Sequence, residues 1–489
     1  MPGIVLTTSV VTGPSTVTVS PTSTLFVAGV TTRGPEGNAF LVQSLANFED
    51  IYGGYTSSGY VHQTLQAFFE EGGSRAYVSR AIGTGAALAS AALPNSASPA
   101  VTVLTLKASG EGEWPHTPVG YMKAEVTHPT AGASFRIRII LNDEVVYSTP
   151  VLTSKEDAVE EINNSAVASL YVIAEVGAGA GIPAVSAGVN FTGGNNGSVP
   201  TDPQMAAALN PFIKTLGSGA VCIPGEYGNT IWEALMEHAA ENNRTAILGF
   251  DRDQSVAQVI ASADALAEHE GAETSAWYYP WVKVERNGLT ISTPCEGYVA
   301  GKRAKLHNEV GPWSAYAGIG TNSDFIQGTF VAITNAQANT LNDGYVNPIR
   351  VINGDTRIYG ARSASSDTEN YRFITAKEVV NYVVAQAEIR LERLVFSVID
   401  GRGTLFGEVK AVLTGILDPL AQAGALYPLF AENGKMVDAG YKVTVNEQLN
   451  PVTQLATGTV KARVGLRVSS LGETIEVEIS KSNLTASLA

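Results

Sequence analysis

The chain has 489 residues, 45% hydrophobic and 16% charged, and its 46 Asp and Glu against 31 Lys and Arg leave a formal charge of −15. At roughly 150 residues per domain this length suggests about three domains with ample apolar material for their cores. So acidic a chain is a poor general binder of nucleic acid or anionic membrane, because counterion release needs clustered Lys and Arg. The two cysteines, Cys222 and Cys295, make neither a disulfide framework nor a short zinc spacing, so buried free thiols are expected.

No charged side chain precedes Arg33, and in that stretch Ile4, Val5 and Leu6 form a β-prone patch while Val17 and Val19 alternate with Thr and Ser. Ile4–Val11 has no basic flank, which makes it a poor secretory signal. Two uncharged runs follow, Ala81–Leu106 and Val176–Thr201. Pro94, Pro99, Pro183 and the Gly193-Gly194 pair interrupt them, as expected of connectors and not of membrane-spanning helices.

Between these runs Tyr121, Lys123 and Glu125 alternate, and then Phe135, Ile137 and Ile139 opposite Arg136 and Arg138, as in half-buried strands. Asn142 and Asp143 mark a turn, Glu144–Tyr147 a strand, Lys155–Ile162 a short acidic helix and Ser169–Val176 a returning strand. Together they predict a β-rich domain of about 85 residues. From Asp202 the rhythm changes. Strand Val221–Ile223, a helix from a Thr230–Glu233 capping box to Asn243, strand Ala246–Phe250, a helix from Ser255 through Glu270 and strand Ala276–Val284 alternate as in a parallel α/β sheet.

The clearest helix opens at Thr375 with Glu378 as its capping partner. Val380, Val383, Val384, Ala387, Leu391, Leu394, Val395 and Val398 form one apolar face, and Val379, Tyr382, Ile389 and Phe396 widen it. That width suits either a deep core helix or a contact between subunits. Glu408–Leu417 predicts another amphipathic helix, which Pro419 should help to stop. Near the end Ile475, Val477 and Ile479 alternate with Glu476, Glu478 and Ser480. Two β-prone tails thus flank the chain, and each either pairs within it or adds a strand to a neighbour.

No familiar catalytic or nucleotide-binding signature is complete. None of the six histidines forms the four-residue helical pair of a metalloprotease. Gly297–Arg303 (G-Y-V-A-G-K-R) is one residue short of a P-loop and lacks its Ser or Thr, and Asp400–Gly407 has the wrong glycine spacing for a dinucleotide fingerprint. No G-x-S-x-G elbow occurs. Asp251 follows a strand where α/β enzymes place catalytic groups, yet a loop role before the Ser255 cap suffices. Lys283, Glu285, Arg286, Lys302, Arg303 and Lys305, interrupted by Glu296 and Glu309, predict a solvated or subunit-facing patch more than a nucleic-acid site.

Several phrases nonetheless occur in a telling order: Thr31–Gly37 (T-T-R-G-P-E-G), Phe48–Gly54 (F-E-D-I-Y-G-G), Ala67–Arg80, Phe191–Gly197 (F-T-G-G-N-N-G), Ile223–Gly225, Trp277–Val284 (W-Y-Y-P-W-V-K-V), Thr293–Lys305, Gly311–Ala317, Asn353–Arg362 and Asp438–Pro451. Over nearly its whole length the chain resembles the contractile tail sheath proteins of bacteriophages and related contractile injection systems.

The resemblance implies an α/β fold with a subtilisin-like core lacking the catalytic triad, an inserted β-rich domain, a C-terminal α+β domain and extended terminal strand arms. The corresponding segments are an arm at 1–21, core at 22–90 and 191–349, insertion at 91–190, C-terminal domain at 350–465 and a second arm at 466–489. It further implies a structural subunit without enzymatic activity or cofactor, located in the virion tail and assembled in the host cytoplasm. Hexameric rings stack helically around an inner tail tube protein, with baseplate and tail terminator proteins as further partners. Direct nucleic-acid contact and membrane insertion are not expected. Ile4, Val5, Leu6, Val17, Val19, Ile475, Val477 and Ile479 are then the candidate subunit-linking strand residues, with hinges at Thr12–Pro21 and Leu466–Glu473. Arg350–Arg402 carries eight Arg and Lys against seven Asp and Glu, unlike the strongly acidic remainder. Lys377, Arg390 and Arg393 within it are candidates for contact with an acidic tube.

Overall fold

The computed structural model describes residues 22–129 and 134–475. It begins with β1 (Leu25–Gly29), β2 (Phe40–Val42), α1 (Leu45–Tyr52), α2 (Val61–Glu70) and β3 (Ala76–Arg80). An insertion follows, made of β4 (Ser90–Pro94), β5 (Thr102–Ala108), β6 (Met122–Thr127), β7 (Arg136–Leu141), β8 (Glu144–Ser148), α3 (Lys155–Asn164), β9 (Val172–Val176) and β10 (Ser186–Asn190). The alternating part returns as α4 (Asp202–Ala207), β11 (Gly219–Cys222), α5 (Asn229–Glu241), β12 (Arg244–Leu248), α6 (Val256–Ala265) and β13 (Ser275–Tyr279). Then come β14 (Val282–Arg286), β15 (Leu289–Thr293), α7 (Glu296–Glu309), β16 (Ile326–Thr329), α8 (Asn335–Asp343), β17 (Val346–Ile352) and β18 (Asp355–Ile358). The last part holds α9 (Ile374–Leu391), α10 (Thr404–Gln422), β19 (Leu429–Phe430), β20 (Met436–Asp438), β21 (Tyr441–Thr444), α11 (Val452–Leu455) and β22 (Arg463–Leu466).

The main sheet has eight strands in the order β18-β17-β13-β12-β11-β1-β3-β2. Its six inner strands run parallel and its two edge strands antiparallel. Helices cover both faces, so the inner strands are apolar throughout: Leu25 and Val27 enter one core, Phe26 and Ala28 the other. The expected alternation is present, with shifted ends. Ala276–Val284 is two strands, β13 in the main sheet and β14 paired with β15 and β16. Ser255 and Gln258 form the capping box of α6, which stops short of Glu270. α5 starts behind Gly228, whose φ of 136° suits glycine, and the expected Thr230–Glu233 box does not form.

In the insertion, sheets β10-β6-β7-β8 and β4-β5-β9 enclose one apolar core. Ile137 and Ile139 are buried as expected, but β6 buries Met122, Ala124 and Val126, one residue out of step with Tyr121, Lys123 and Glu125. Such a slip turns every side chain to the opposite face. The turn at Asn142 and Asp143 has φ of 50° and 63°, the left-handed geometry these residues tolerate. Two arginines fasten the insertion to the main sheet. Arg33 lies 5.5 Å from the Trp114 ring and 5.3 Å from the Tyr171 ring, and Arg80 donates to the carbonyls of Gly34 at 2.7 Å and Glu111 at 2.9 Å.

The C-terminal part packs α9 against α10 and the antiparallel β21–β22 strand pair. Pro419 does not stop α10, which continues to Gln422. Proline cannot donate to the carbonyl four residues back, Gly415. Arg390 of α9 does so instead, with Nη1 at 3.4 Å.

Candidate assembly surfaces

The sequence G-Y-V-A-G-K-R is the first half of α7, a helix whose early residues are almost all buried. Gly297 and Gly301 let it lie directly on α2: a Cβ on Gly297 would stand 2.3 Å from the Thr64 carbonyl oxygen. Lys302 and Arg303, expected in a solvated or subunit-facing patch, are buried within the chain, where each meets a carboxylate. Lys302 Nζ is 2.5 Å from Glu71, which also accepts from the Ser323 hydroxyl. Arg303 Nε is 2.6 Å from Glu378 Oε1.

Glu378 turns into the core instead of capping α9, whose N-cap residue, Phe373, makes no side-chain capping bond. Its Oε2 lies 3.2 Å from His307 Nε2, while His307 Nδ1 lies 2.9 Å from the Thr22 hydroxyl. A neutral imidazole protonated at Nε2 satisfies both contacts, donating to the carboxylate and accepting from the hydroxyl. Burial would raise the Glu378 carboxyl, yet Arg303 and His307 outweigh it and hold the group at about 2. Burial and Arg303 together push the His307 ring down, which keeps it neutral. The charges are therefore one guanidinium and one carboxylate, and they balance.

A second buried carboxyl sits at the start of α7. Glu296 is 1% exposed; its Oε1 accepts from the Tyr227 hydroxyl at 3.1 Å, and its Oε2 has no partner. Burial pushes it up to about 7, and pushes the neighbouring Cys222 and Cys295 thiols up as well. Both cysteines are free and buried, as expected. Because folded Glu296 keeps a proton that the unfolded chain releases above about pH 4.5, stability falls as pH rises from about 4.5 to 7. Glu296→Gln should match the parent at pH 5 and exceed it by about 2–3 kcal/mol at pH 8. Guanidinium unfolding at the two pH values checks this, and parallel pH profiles would refute it.

The Lys302 and Arg303 clusters tie α7 to α2, α9 and Thr22. Among the described residues no group of three His, Cys, Asp or Glu could hold a metal ion, and no helix is long and apolar enough to cross a membrane. Asp251 is an exposed loop residue whose carboxylate accepts from the Asp253 backbone at 2.9 Å. Asp400 caps the start of α10, accepting from the Thr404 amide and hydroxyl at 2.9 and 2.7 Å.

The surface is more informative. The first half of α9 is buried through Val379, Val383 and Ala385, but Val384 and Ile389 are exposed, as are Val395, Phe396 and Val398 beyond it. The helix is thus a core element at one end and an open apolar surface at the other. Of the tube-contact candidates, Lys377 is partly buried and 3.3 Å from Glu273, Arg390 spans to Gly415, and Arg393 is exposed beside Glu408, Ala411 and Val412. They do not form one cluster. β19–β20 and β21–β22 are sheets of only two strands among the described residues.

Ile4, Val5, Leu6, Val17, Val19, Val477 and Ile479 lie outside the described residues, as does the Thr12–Pro21 hinge. Ile475, the last described residue, is 86% exposed. The expected hinge Leu466–Glu473 is fastened at two points. Arg467 pairs with Asp438 at 2.9 Å, and Glu473 accepts from Arg362 at 3.0 and 2.9 Å and from Arg372 at 3.3 Å. No sequence signal singled out Glu473, because an acidic residue near a chain end is usually solvated.

No family model matches the chain, and no curated protein matches it. Solved structures do. The helical sheath of the anti-feeding prophage in its contracted state is 16% identical over 99% of both chains, with a TM-score of 0.56. The contracted sheath complex of PVC, an extracellular contractile injection system, is 15% identical over 99% of this chain and 98% of that one, at 0.55. The sheath tail protein of Listeria innocua is 12% identical over 87% and 89%, at 0.60. The fold of this chain is that of contractile tail sheath proteins.

Proposed function

We propose that the chain is the structural subunit of a contractile tail sheath, polymerising as helically stacked hexameric rings around an inner tube. The sheath contracts without nucleotide hydrolysis to drive the tube through a target envelope. The observation that carries this reading is the extent of the structural likeness, 99% of this chain and of the anti-feeding prophage sheath chain, which leaves little of the fold for another task. On this reading the parallel sheet is a subtilisin-like core without a triad, and the terminal arms complete sheets on neighbouring copies. Among the described residues the β21–β22 sheet has only two strands, which leaves it room for such additions. The open apolar end of α9 becomes an intersubunit contact, and Lys377, Arg390 and Arg393 face an acidic tube.

Contraction then runs downhill from a metastable extended lattice, rigid subunits exchanging weak contacts for larger ones. A sheath of a non-viral injection machine is the second reading, favoured by the anti-feeding prophage and PVC structures. A cryptic hydrolase is the remote third; the Thr22, His307 and Glu378 series is buried, at 1%, 3% and 1% exposure, and a serine-reactive probe with peptide substrates tests that reading.

Deletion of Met1–Thr16 tests the arm reading. The shortened chain, incubated with its tube protein over a salt series and viewed by negative-stain electron microscopy, should form no extended sheath where the full chain does. Normal assembly and firing of the deletion would refute strand donation by that arm. Tube-templated assembly of the full chain that ignores salt would refute the electrostatic tube contact.

A further inference from the structure

Thr22 and Glu473, near the two ends of the described chain, are held by groups that converge on the start of α9, Thr22 indirectly through Arg303 and His307 of α7 and Glu473 directly through Arg362 and Arg372. At the first, the Thr22 carbonyl accepts from Arg303 Nη1 at 2.6 Å and its hydroxyl meets His307, and both partners also meet Glu378 in α9. At the second, Arg362 grips Glu473 with two parallel bonds and Arg372 adds a third. Arg362 and Arg372 belong to a strap that closes on itself just before α9: the Ser363 amide donates to the Arg372 carbonyl at 3.1 Å, and the Ile374 amide to the Ala361 carbonyl at 3.0 Å. The strap is nailed to the main sheet by Asn347, which is fully buried. Its amide donates to the carbonyls of Trp277 at 3.0 Å and Arg362 at 2.8 Å, and its Oδ1 accepts from the Arg362 backbone at 2.7 Å.

We propose that the strap 361–373 and the first turns of α9 are a shared anchor for both chain ends. Load passed between copies then crosses each subunit along Thr22, Arg303 with His307, Glu378, the backbone from Glu378 back to Arg372, and Glu473. This rests on the reading that the ends reach neighbouring copies, and it adds where they are tied down. A fixed point at each root lets an end pull on a rigid body instead of peeling strands from a sheet edge one hydrogen bond at a time.

The test is Glu473→Gln in the full-length chain, which keeps the side chain's shape and removes its charge. Three quantities are compared with the parent: melting temperature, amide hydrogen exchange over 466–474, and the urea concentration at which assembled polymers come apart. The expected result is unchanged melting, about tenfold faster exchange over 466–474, and polymers that fall apart at lower urea. Unchanged exchange would overturn the fork, and faster exchange with polymers of parental strength would overturn the load path. Should Glu473→Gln lower the melting temperature, Arg372→Gln, at a side chain 47% exposed, takes its place with the same readouts. A chain ending at Ile475 separates the two ideas. If it polymerises like the full chain, strand donation by that end falls and the load path with it. If it fails to polymerise while Glu473→Gln polymers keep parental strength, only the anchor falls.

Discussion

Glu378→Gln is expected to destabilise the folded chain by about 3–5 kcal/mol at pH 7, the usual cost of leaving a buried charge unpaired. Arg303 keeps its bonds to Thr22 and Thr245 but loses the only carboxylate in contact with it among the described residues. The pH dependence has a definite sign. With the folded carboxyl held at about 2, against 4.5 in the unfolded chain, the pair's stabilisation is complete above about pH 4.5 and disappears as pH falls toward 2. Guanidinium unfolding should therefore show an acid decline for the parent over that window and a flatter profile for Glu378→Gln. A double variant, Glu378→Gln with Arg303→Met, should recover much of the loss, because removing both charges also removes the desolvation penalty. A single variant as stable as the parent would mean that Arg303 finds other compensation.

Glu378 also marks where sequence reasoning gives out. Thr375 and Glu378 have the spacing of a capping box, and nothing local distinguishes a glutamate that reaches back to its own helix from one that reaches a partner 75 residues away in sequence. Parallel strands were legible because they are buried on both faces and so appear as short apolar runs. The turn at Asn142 and the buried thiols were legible because their chemistry is local. Pro419 misled for the opposite reason: its missing hydrogen bond is made good by Arg390, a residue on another helix. Arg390 therefore has a structural task in addition to its candidacy as a tube contact, and like Arg393 it is exposed.

Gly297→Ala should be as damaging as the loss of Glu378, although it adds a single methyl group. Its Cβ would stand 2.3 Å from the Thr64 carbonyl oxygen and 2.8 Å from the Thr64 Cα, backbone atoms that no rotamer change can clear. The two helices would have to separate, pulling Lys302 from Glu71 and opening the core they share. Overpacking of this kind costs about 1–3 kcal/mol where side chains can adjust, and more where only backbone can. The expected outcome is loss of soluble folded chain, or a melting temperature lowered by several degrees. Gly407→Ala is the control: it lies in α10 and, among the described residues, nothing beyond its own stretch of helix comes within 4 Å of the added methyl, so it should be neutral or slightly stabilising. The contrast decides what the glycines in G-Y-V-A-G-K-R are for. A phosphate-cradling loop would lose ligand binding while remaining folded; a helix pressed onto its neighbour loses the fold itself. Equal melting temperatures for Gly297→Ala and Gly407→Ala would sink the packing account.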